Sequence, residues 1–305
     1  MEQLLNRIID KNRGLTGLGE VASYIPALSS EDPNNIGVCL IDENDTIYKS
    51  GCYNKRFTIQ SISKVITLIL AIMDNGIEKV LEKVGLESTD EPFNSFIKLD
   101  INSNTKPANP MINAGAIVIT SLIKGNHTEK FQRILELVQF ITKNKDIVYN
   151  EEVYISEKNT GNRNRAMAYL MSNKGILEEN VEETLDTYFK QCSIEVDTVD
   201  LALIGKFISG GCKGLNIGVI SNNELTILLK SILLTCGMYD YSSRYAIEVG
   251  IPTKSGVSGG LMGVLPGNRG IGIYSPALDS HGNSVAGLGI IKSLSKELNL
   301  SIFNC

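Results

Sequence analysis

The sequence predicts an α+β domain in which an antiparallel sheet flanked by helices is interrupted by an all-helical subdomain. Three observations carry the prediction. Two short apolar, β-branched runs at 36–41 and 46–50 flank the polar stretch "DENDT", the pattern of a hairpin. From about residue 61 to 236, apolar residues recur at helical spacing. After that, Gly-rich and β-branched segments return. Strands split by a helical insert imply a single domain over 1–305. Its α/β part spans about 1–60 and 237–305, its helical part about 61–236, with a cleft between them.

Along the chain, "MEQLLNRIIDKNRG" reads as an amphipathic helix carrying charges throughout. It lacks the apolar core and small-residue cleavage site of a signal peptide. The hairpin comes next, and "RFTIQSISKVITL" (56–68) then opens an apolar helix that runs from Ser61 to 73 and stops near Gly76. "INAGAIVITSLIK", "KFQRILELVQFIT", "NRAMAYLMS", "EETLDTYFKQC" and "DLALIGKFISGG" continue the helical pattern. "KSGVSGGLMGVLP" and "RGIGIYSP", with turn residues between them, read as strands. An amphipathic helix over about 284–299 closes the chain.

Composition narrows the function. With 305 residues, 43% of them hydrophobic, the chain can bury a large core. A net charge of −5 without a basic run argues against nucleic acid or anionic membrane as partner. No apolar run is long enough to span a bilayer, so the expected location is cytoplasmic. The six cysteines form no C-x-x-C and suit no zinc site; they are expected to be reduced and buried. His127 in "KGNHTEK" and His281 in "DSHGNS" are the two histidines, and both read as solvated turn residues. That disfavours a Ser-His-Asp triad and a histidine-ligated metal. If the protein is an enzyme, its base lies elsewhere.

Ser61 and Lys64 are a candidate. Three residues apart on a helix, they share a face. At the helix start, Ser61 is also close to unpaired backbone N–H groups that can stabilise an oxyanion. A partly desolvated amine can take the hydroxyl proton. The spacing alone is weak, because Ser-x-x-Lys recurs at Ser95, Ser103, Ser121 and Ser293. Those four lie in polar loops, at a helix end or in a charged terminal helix. Ser61 alone follows strands and opens a buried apolar helix. A late "KSG" at Lys254–Gly256 sits where serine acyl-transfer enzymes of the β-lactamase and penicillin-binding type carry their Lys-Thr/Ser-Gly box. There, a cation and a hydroxyl would line the cleft opposite the serine, and the glycine would let substrate approach the backbone. The earlier "KSG" at 49–51 reads as a solvated strand end.

Longer motifs say more than these spacings. "VASYIPAL" (21–28), "FTIQSISKV" (57–65), "NPMINAGAI" (109–117), "SEKNTGNRN" (156–164), "CSIEV" (192–196), "CGMYD" (236–240) and "PTKSGVSGG" (252–260) occur in this order. Together they resemble the serine-dependent glutaminase family, over about residues 20 to 298. The resemblance implies a β-lactamase/transpeptidase-like fold and hydrolysis of L-glutamine to L-glutamate and ammonia, with no metal or organic cofactor. It also implies self-association as a homodimer or homotetramer. By the same resemblance, Ser61 is the nucleophile, Lys64 its activator and Tyr239 an aid to proton transfer. The Val257 N–H completes an oxyanion hole with that of Ser61. Tyr24, Gln60, Asn113, Glu157, Asn164 and Tyr188 are substrate-binding positions, together with Tyr239 and Val257.

Chemistry agrees with that set, since a buried glutamate can pair with an ammonium and asparagine amides can donate to a carboxylate. Each residue also has an ordinary reading. Glu157 would be a helix N-terminal charge after Ser156, Asn113 a helix cap, and Tyr188 and Tyr239 core-edge residues. Tyr24 and Asn164 would be structural. Two rival functions remain. A β-lactamase or transpeptidase shares both boxes but would work outside the cytoplasm. A non-catalytic glutamine sensor would not need an intact Ser61 and Lys64.

Overall fold

The computed structural model describes residues 1–92, 94–95, 106–215 and 221–304. Lys98 (the partner of Ser95), Ser103 and Cys305 lie outside the described residues. Helix α1 (Glu2–Asn12) buries Leu5, Ile8 and Ile9 and precedes a two-residue strand, β1 (Glu20–Val21). The expected hairpin follows as β2 (Gly37–Ile41) and β3 (Ile47–Gly51), in register from Gly37↔Gly51 to Ile41↔Ile47. Every residue of β2 is buried, whereas β3 is largely open to solvent, as befits an inner and an edge strand.

A second short strand, β4 (Phe57–Thr58), runs into a 3-10 turn at Gln60–Ile62 and then helix α2 (Ser63–Asn75). Residues Ser63 to Ile72 of α2 are all buried, because a helix apolar on every side must be surrounded by others. Those neighbours include α3 (Ile77–Lys83), α4 (Asn113–Leu122) and α5 (His127–Thr142). Next come α6 (Glu151–Thr160) and α7 (Asn162–Asn173), separated at Gly161, where a Cβ would lie 2.5 Å from the Phe189 ring. Helix α8 (Val181–Cys192) touches each of α4 to α7. Strand β5 (Glu195–Val196) then pairs with β4 through Phe57↔Val196.

Helix α9 (Thr198–Ser209) begins with a capping box at Asp197 and Asp200. After α10 (Asn222–Cys236) the sequence suggests strands, but the chain first makes a 3-10 turn at Tyr239–Tyr241 and helix α11 (Ser242–Glu248). Seven residues hold too few turns to show a helical period. The two-residue strands escape sequence reading for the same reason. Strands β6 (Thr253–Ser255), β7 (Gly260–Leu265), β8 (Arg269–Tyr274) and β9 (Ala277–Leu278) and helix α12 (Val285–Glu297) complete the chain.

Early and late strands form one antiparallel sheet of order β3-β2-β8-β7-β6. Leu5 and Ile9 of α1 and Ile290, Ile291 and Leu294 of α12 pack with Val38, Leu40, Ile271 and Ile273 of the sheet. Helix α9 lies against β8, β7 and β2. The glycines of the late strands explain its close approach. A Cβ at Gly270 or Gly272 would sit 2.0 Å from the carbonyl oxygen of Ala202 or Thr198, respectively. No described helix is long and apolar enough to cross a membrane. The five described cysteines are free, and Cys39, Cys192, Cys212 and Cys236 are buried.

Candidate active site

The turn carrying Ser61 is held from two sides. The Ile59 N–H donates to the Ile194 carbonyl at 2.7 Å, next to the β4–β5 pair. Gly256 packs against the other side, where a Cβ would lie 2.9 Å from the Ile59 carbonyl oxygen. The sequence reading gave this glycine to a substrate; in the structure it admits the nucleophile turn. Gln60 takes a left-handed φ of 48°, which costs a non-glycine residue energy that surrounding contacts must offset. Its side chain donates to Thr58 Oγ1 at 3.1 Å. Ser61 therefore sits on a strained, fully supported turn and is 7% exposed.

A second tight turn faces it. The Gly256 N–H donates to the Gly260 carbonyl, and the Gly259 N–H to the Gly256 carbonyl, each at 2.9 Å. Val257 stands at the tip of this turn, buried. Among the described residues, neither the Ser61 N–H nor the Val257 N–H donates to a protein acceptor. An oxyanion needs two such donors aimed at one point.

Lys64 is the second residue of α2 and has no exposed surface. Its Nζ donates to the Met111 carbonyl at 3.1 Å and to Asn113 Oδ1 at 2.7 Å. Asn109 shapes the loop that presents that carbonyl, its Oδ1 accepting from the Met111 and Ile112 N–H groups. Asn113 Nδ2 in turn donates to Asn164 Oδ1 at 3.0 Å. Asn113 is the first residue of α4, but its side chain caps nothing; it joins α2 to α7. Burial lowers the Lys64 pKa to about 8, against the opposing charges of Cys192 and Glu157. The desolvation expected from the sequence is thus the leading cause.

Glu157 lies in the second half of α6, away from the helix N-terminus where its ordinary reading put it. It is buried and its Oε2 has no hydrogen-bond partner among the described residues. Burial raises its pKa to about 8, while Lys64 and a hydrogen bond from Gln60 pull the other way. Tyr188 on α8 is buried too, hydrogen-bonded to Cys192 one helical turn on, and Cys192 is hydrogen-bonded to Ser63. Sequence reading gave Cys192 no place here, and a scattered cysteine carries no signal of one. Tyr24 is 55% exposed at the cleft mouth. Burial of its phenol, then the charge of Glu157, keeps its pKa raised, which places the hydroxyl end inward.

Tyr239 also adopts a left-handed backbone, with φ of 57°. Its hydroxyl donates to the Ser255 carbonyl at 3.0 Å and shares a hydrogen bond with Ser61. Burial keeps the phenol protonated well above its ordinary range. Hydrogen bonds and charge interactions thus link Tyr24, Gln60, Ser61, Lys64, Asn113, Glu157, Asn164, Tyr188 and Tyr239, and Val257 lines a cavity with Tyr24. His281 sits in a turn with its side chain 40% exposed, as read from the sequence, but with a partner that reading did not find. Its Nδ1 lies 2.9 Å from Asp240 Oδ2, and both line a mouth cavity of about 520 Å³ with Tyr24 and Val257. A turn histidine 41 residues from its partner leaves no sequence pattern. Among the described residues no cluster suits a metal ion.

The model of the family described as Glutaminase matches residues 19–303. The glutaminase of Clostridioides difficile is 51% identical over 310 aligned positions, covering 99% of this chain and 98% of the relative. That of Clostridium tetani is 50% identical, with 99% and 100% covered. Among solved structures, a Bacillus glutaminase in 4.3 M NaCl superposes with a TM-score of 0.90 at 39% identity over 99% of both chains. A Bacillus subtilis glutaminase solved as a covalent complex with 5-oxo-L-norleucine, formed from 6-diazo-5-oxo-L-norleucine, has a TM-score of 0.87 at 38% identity, again over 99% of both chains.

Proposed function

The chain belongs to the glutaminase family, hydrolases of the amide carbon–nitrogen bond, and from that premise we propose that it converts L-glutamine to L-glutamate and ammonia through a γ-glutamyl ester on Ser61. The fold is read as β-lactamase/transpeptidase-like, with the cleft between the sheet-bearing part and the helical part. A cytoplasmic homodimer or homotetramer is carried over from the family resemblance.

One observation carries the mechanism: the two hydrogen bonds of Lys64. A neutral amine has two N–H bonds and one lone pair. Both N–H bonds have acceptors, the Met111 carbonyl and Asn113 Oδ1. The lone pair is left for Ser61, three residues back on the 3-10 turn that leads into the helix. Neither acceptor is a carboxylate, and although the charges of Cys192 and Glu157 favour the protonated amine, burial outweighs them and shifts Lys64 toward the neutral form.

Ser61 Oγ attacks the side-chain amide carbon as Lys64, with Tyr239 beside it, accepts the hydroxyl proton. The N–H groups of Ser61 and Val257 hold the oxyanion. As the carbon–nitrogen bond breaks, the proton passes to the leaving nitrogen and ammonia departs. Water then attacks the ester, its proton returning through the same groups to Ser61 Oγ, and glutamate leaves. The open Glu157 Oε2 receives the substrate ammonium. That charge draws the carboxyl back to its ionised form, while Asn113, Asn164, Tyr24 and Tyr188 surround the α-carbon end.

Hydroxylamine partitioning tests the ester. Turnover of glutamine with hydroxylamine present should yield γ-glutamyl hydroxamate at the expense of glutamate, and acid-quenched enzyme should carry a glutamyl adduct on Ser61. Steady turnover with neither hydroxamate nor adduct would mean direct attack by water.

A further inference from the structure

The geometry points to Lys254 as a positioning residue for Tyr239: its side-chain nitrogen holds the tyrosine ring, and through it the phenol that meets Ser61. This inference rests on the relay role given to Tyr239 above. Lys254 lies on β6 with no exposed surface. Sequence reasoning turned it toward the substrate. In the structure its Nζ donates instead to the Gly237 carbonyl at 3.1 Å and the Ser255 carbonyl at 2.7 Å, and it sits 4.3 Å from the centre of the Tyr239 ring. The Tyr239 hydroxyl donates to the same Ser255 carbonyl. One carbonyl therefore receives both side chains, and the lysine head fills the angle between the ring and the strand.

The fold does not need this nitrogen for its hydrogen bonds. The Gly237 carbonyl also accepts the Ser255 N–H at 3.2 Å, and the Ser255 carbonyl keeps the tyrosine hydroxyl. Burying an amine is costly, and both burial and the nearby Lys64 push the Lys254 pKa well down. What the amine supplies in return is its contact with the ring. A cation over an aromatic face is attracted more strongly when desolvated, and a neutral amine still presses on the ring sterically. Tyr239 requires such support because its φ of 57° is unfavourable for a tyrosine. Its backbone is fixed locally, Ser242 Oγ donating to the Tyr239 carbonyl and accepting the Met238 N–H. Those bonds set the turn; Lys254 sets where the ring leans.

The test is a double-mutant cycle between Lys254→Met and Tyr239→Phe, read as kcat, KM and Tm on glutamine. Methionine keeps the stem and leaves both carbonyls satisfied, so Tm should not fall. In the wild-type background, kcat should drop at least about ten-fold with KM within about three-fold, because the groups holding the amino-acid end are untouched. In the Tyr239→Phe background the same change should cost less than about three-fold. Equal losses in both backgrounds, or a rise in KM at constant kcat, would overturn the inference and leave the relay reading in place. A fully active Tyr239→Phe would remove the relay reading, and this inference with it. If Lys254→Met does not fold, Lys254→Gln carries the same cycle. Loss of folding in both would make the lysine a structural requirement and overturn the inference.

Discussion

The two walls of the cleft are built differently. On the wall proposed to meet the scissile amide, the candidate groups sit on irregular backbone: Ser61 follows Gln60 at φ 48°, Tyr239 has φ 57°, and Val257 tips a tight turn. On the wall proposed to meet the amino-acid end, Asn113, Glu157, Asn164 and Tyr188 project from regular helices. Those helices are tied by side chains. Asp186 on α8 takes Lys158 at 2.6 Å, Lys190 at 2.9 Å and the Tyr154 hydroxyl, so α6 with Glu157 is fastened to α8 with Tyr188. Bond-making needs N–H groups aimed at one point, which only non-repetitive backbone supplies. Recognition needs side chains at fixed spacing, which helices supply. Damage on the first wall should therefore appear in kcat, and damage on the second in binding.

Ser61→Ala offers the sharpest contrast. It removes the nucleophile without disturbing the turn, so ammonia release should fall below about a hundredth of wild type. Its melting temperature should stay close to wild type. Turnover above that level would require another nucleophile.

On the opposite wall, Glu157→Gln keeps the shape and loses the charge. It should cost about 2–4 kcal/mol in kcat/KM for glutamine, with the fold intact. Steady-state kinetics matching wild type would return Glu157 to a structural role. Asparagine is one methylene shorter, which withdraws its amide carbon by about 1 Å and should cost on the order of 100-fold. Equal rates on both amides would break the idea that the helical wall fixes substrate length.

Lys64 and Glu157 link the walls through pH. Both have pKa values near about 8, and both must lose a proton to act, one as base and the other as counter-ion. In the free enzyme kcat/KM should climb as pH rises toward 8, with a log–log slope above 1 on the acid side. A slope of 1 would leave one group to titrate. Stability gives a separate reading. The folded pKa of Lys64 is depressed, so the stability it contributes is present above its unfolded pKa and lost as pH falls through about 8. At pH 7 the charged lysine is thus a liability, and Lys64→Met should stabilise the fold by on the order of 1–2 kcal/mol there while abolishing turnover. A lower melting temperature would contradict this.

The smallest effect should come from the tie behind the helical wall. Burial works to raise the Asp186 pKa, but hydrogen bonds from Lys158, Tyr154 and Lys190 outweigh it and hold it at about 2. Being depressed, it contributes stability above its unfolded pKa that is lost as pH falls through about 2. Lys158 is 44% exposed, so solvent screening limits the loss in Asp186→Asn to about 1 kcal/mol at pH 7. KM should rise a few-fold with kcat unchanged. A fall in kcat at constant KM would show that the division between walls is wrong.

The hairpin, the helical insert and the terminal helix were legible in the sequence, and the Ser61–Lys64 pair stood out there as a candidate, because each rests on spacing within a few residues. The ordered motifs also named the residues of the proposed site, Asn113 and Glu157 among them. What those residues touch was not legible. Lys64 finds its acceptors 47 and 49 residues away, and Asn113 reads as a cap until α7 brings Asn164 to its amide. Lys254 reads as a cleft cation until β6 settles beside the Tyr239 turn. His281 reads as a solvated turn residue until Asp240 is found beside it. Local periodicity reports which face of an element is apolar. It carries nothing about left-handed φ at Gln60 and Tyr239, nor about pKa values set by burial among distant elements. Packing alone decides those, because a proton's free energy depends on everything within a few ångströms, whatever its distance along the chain.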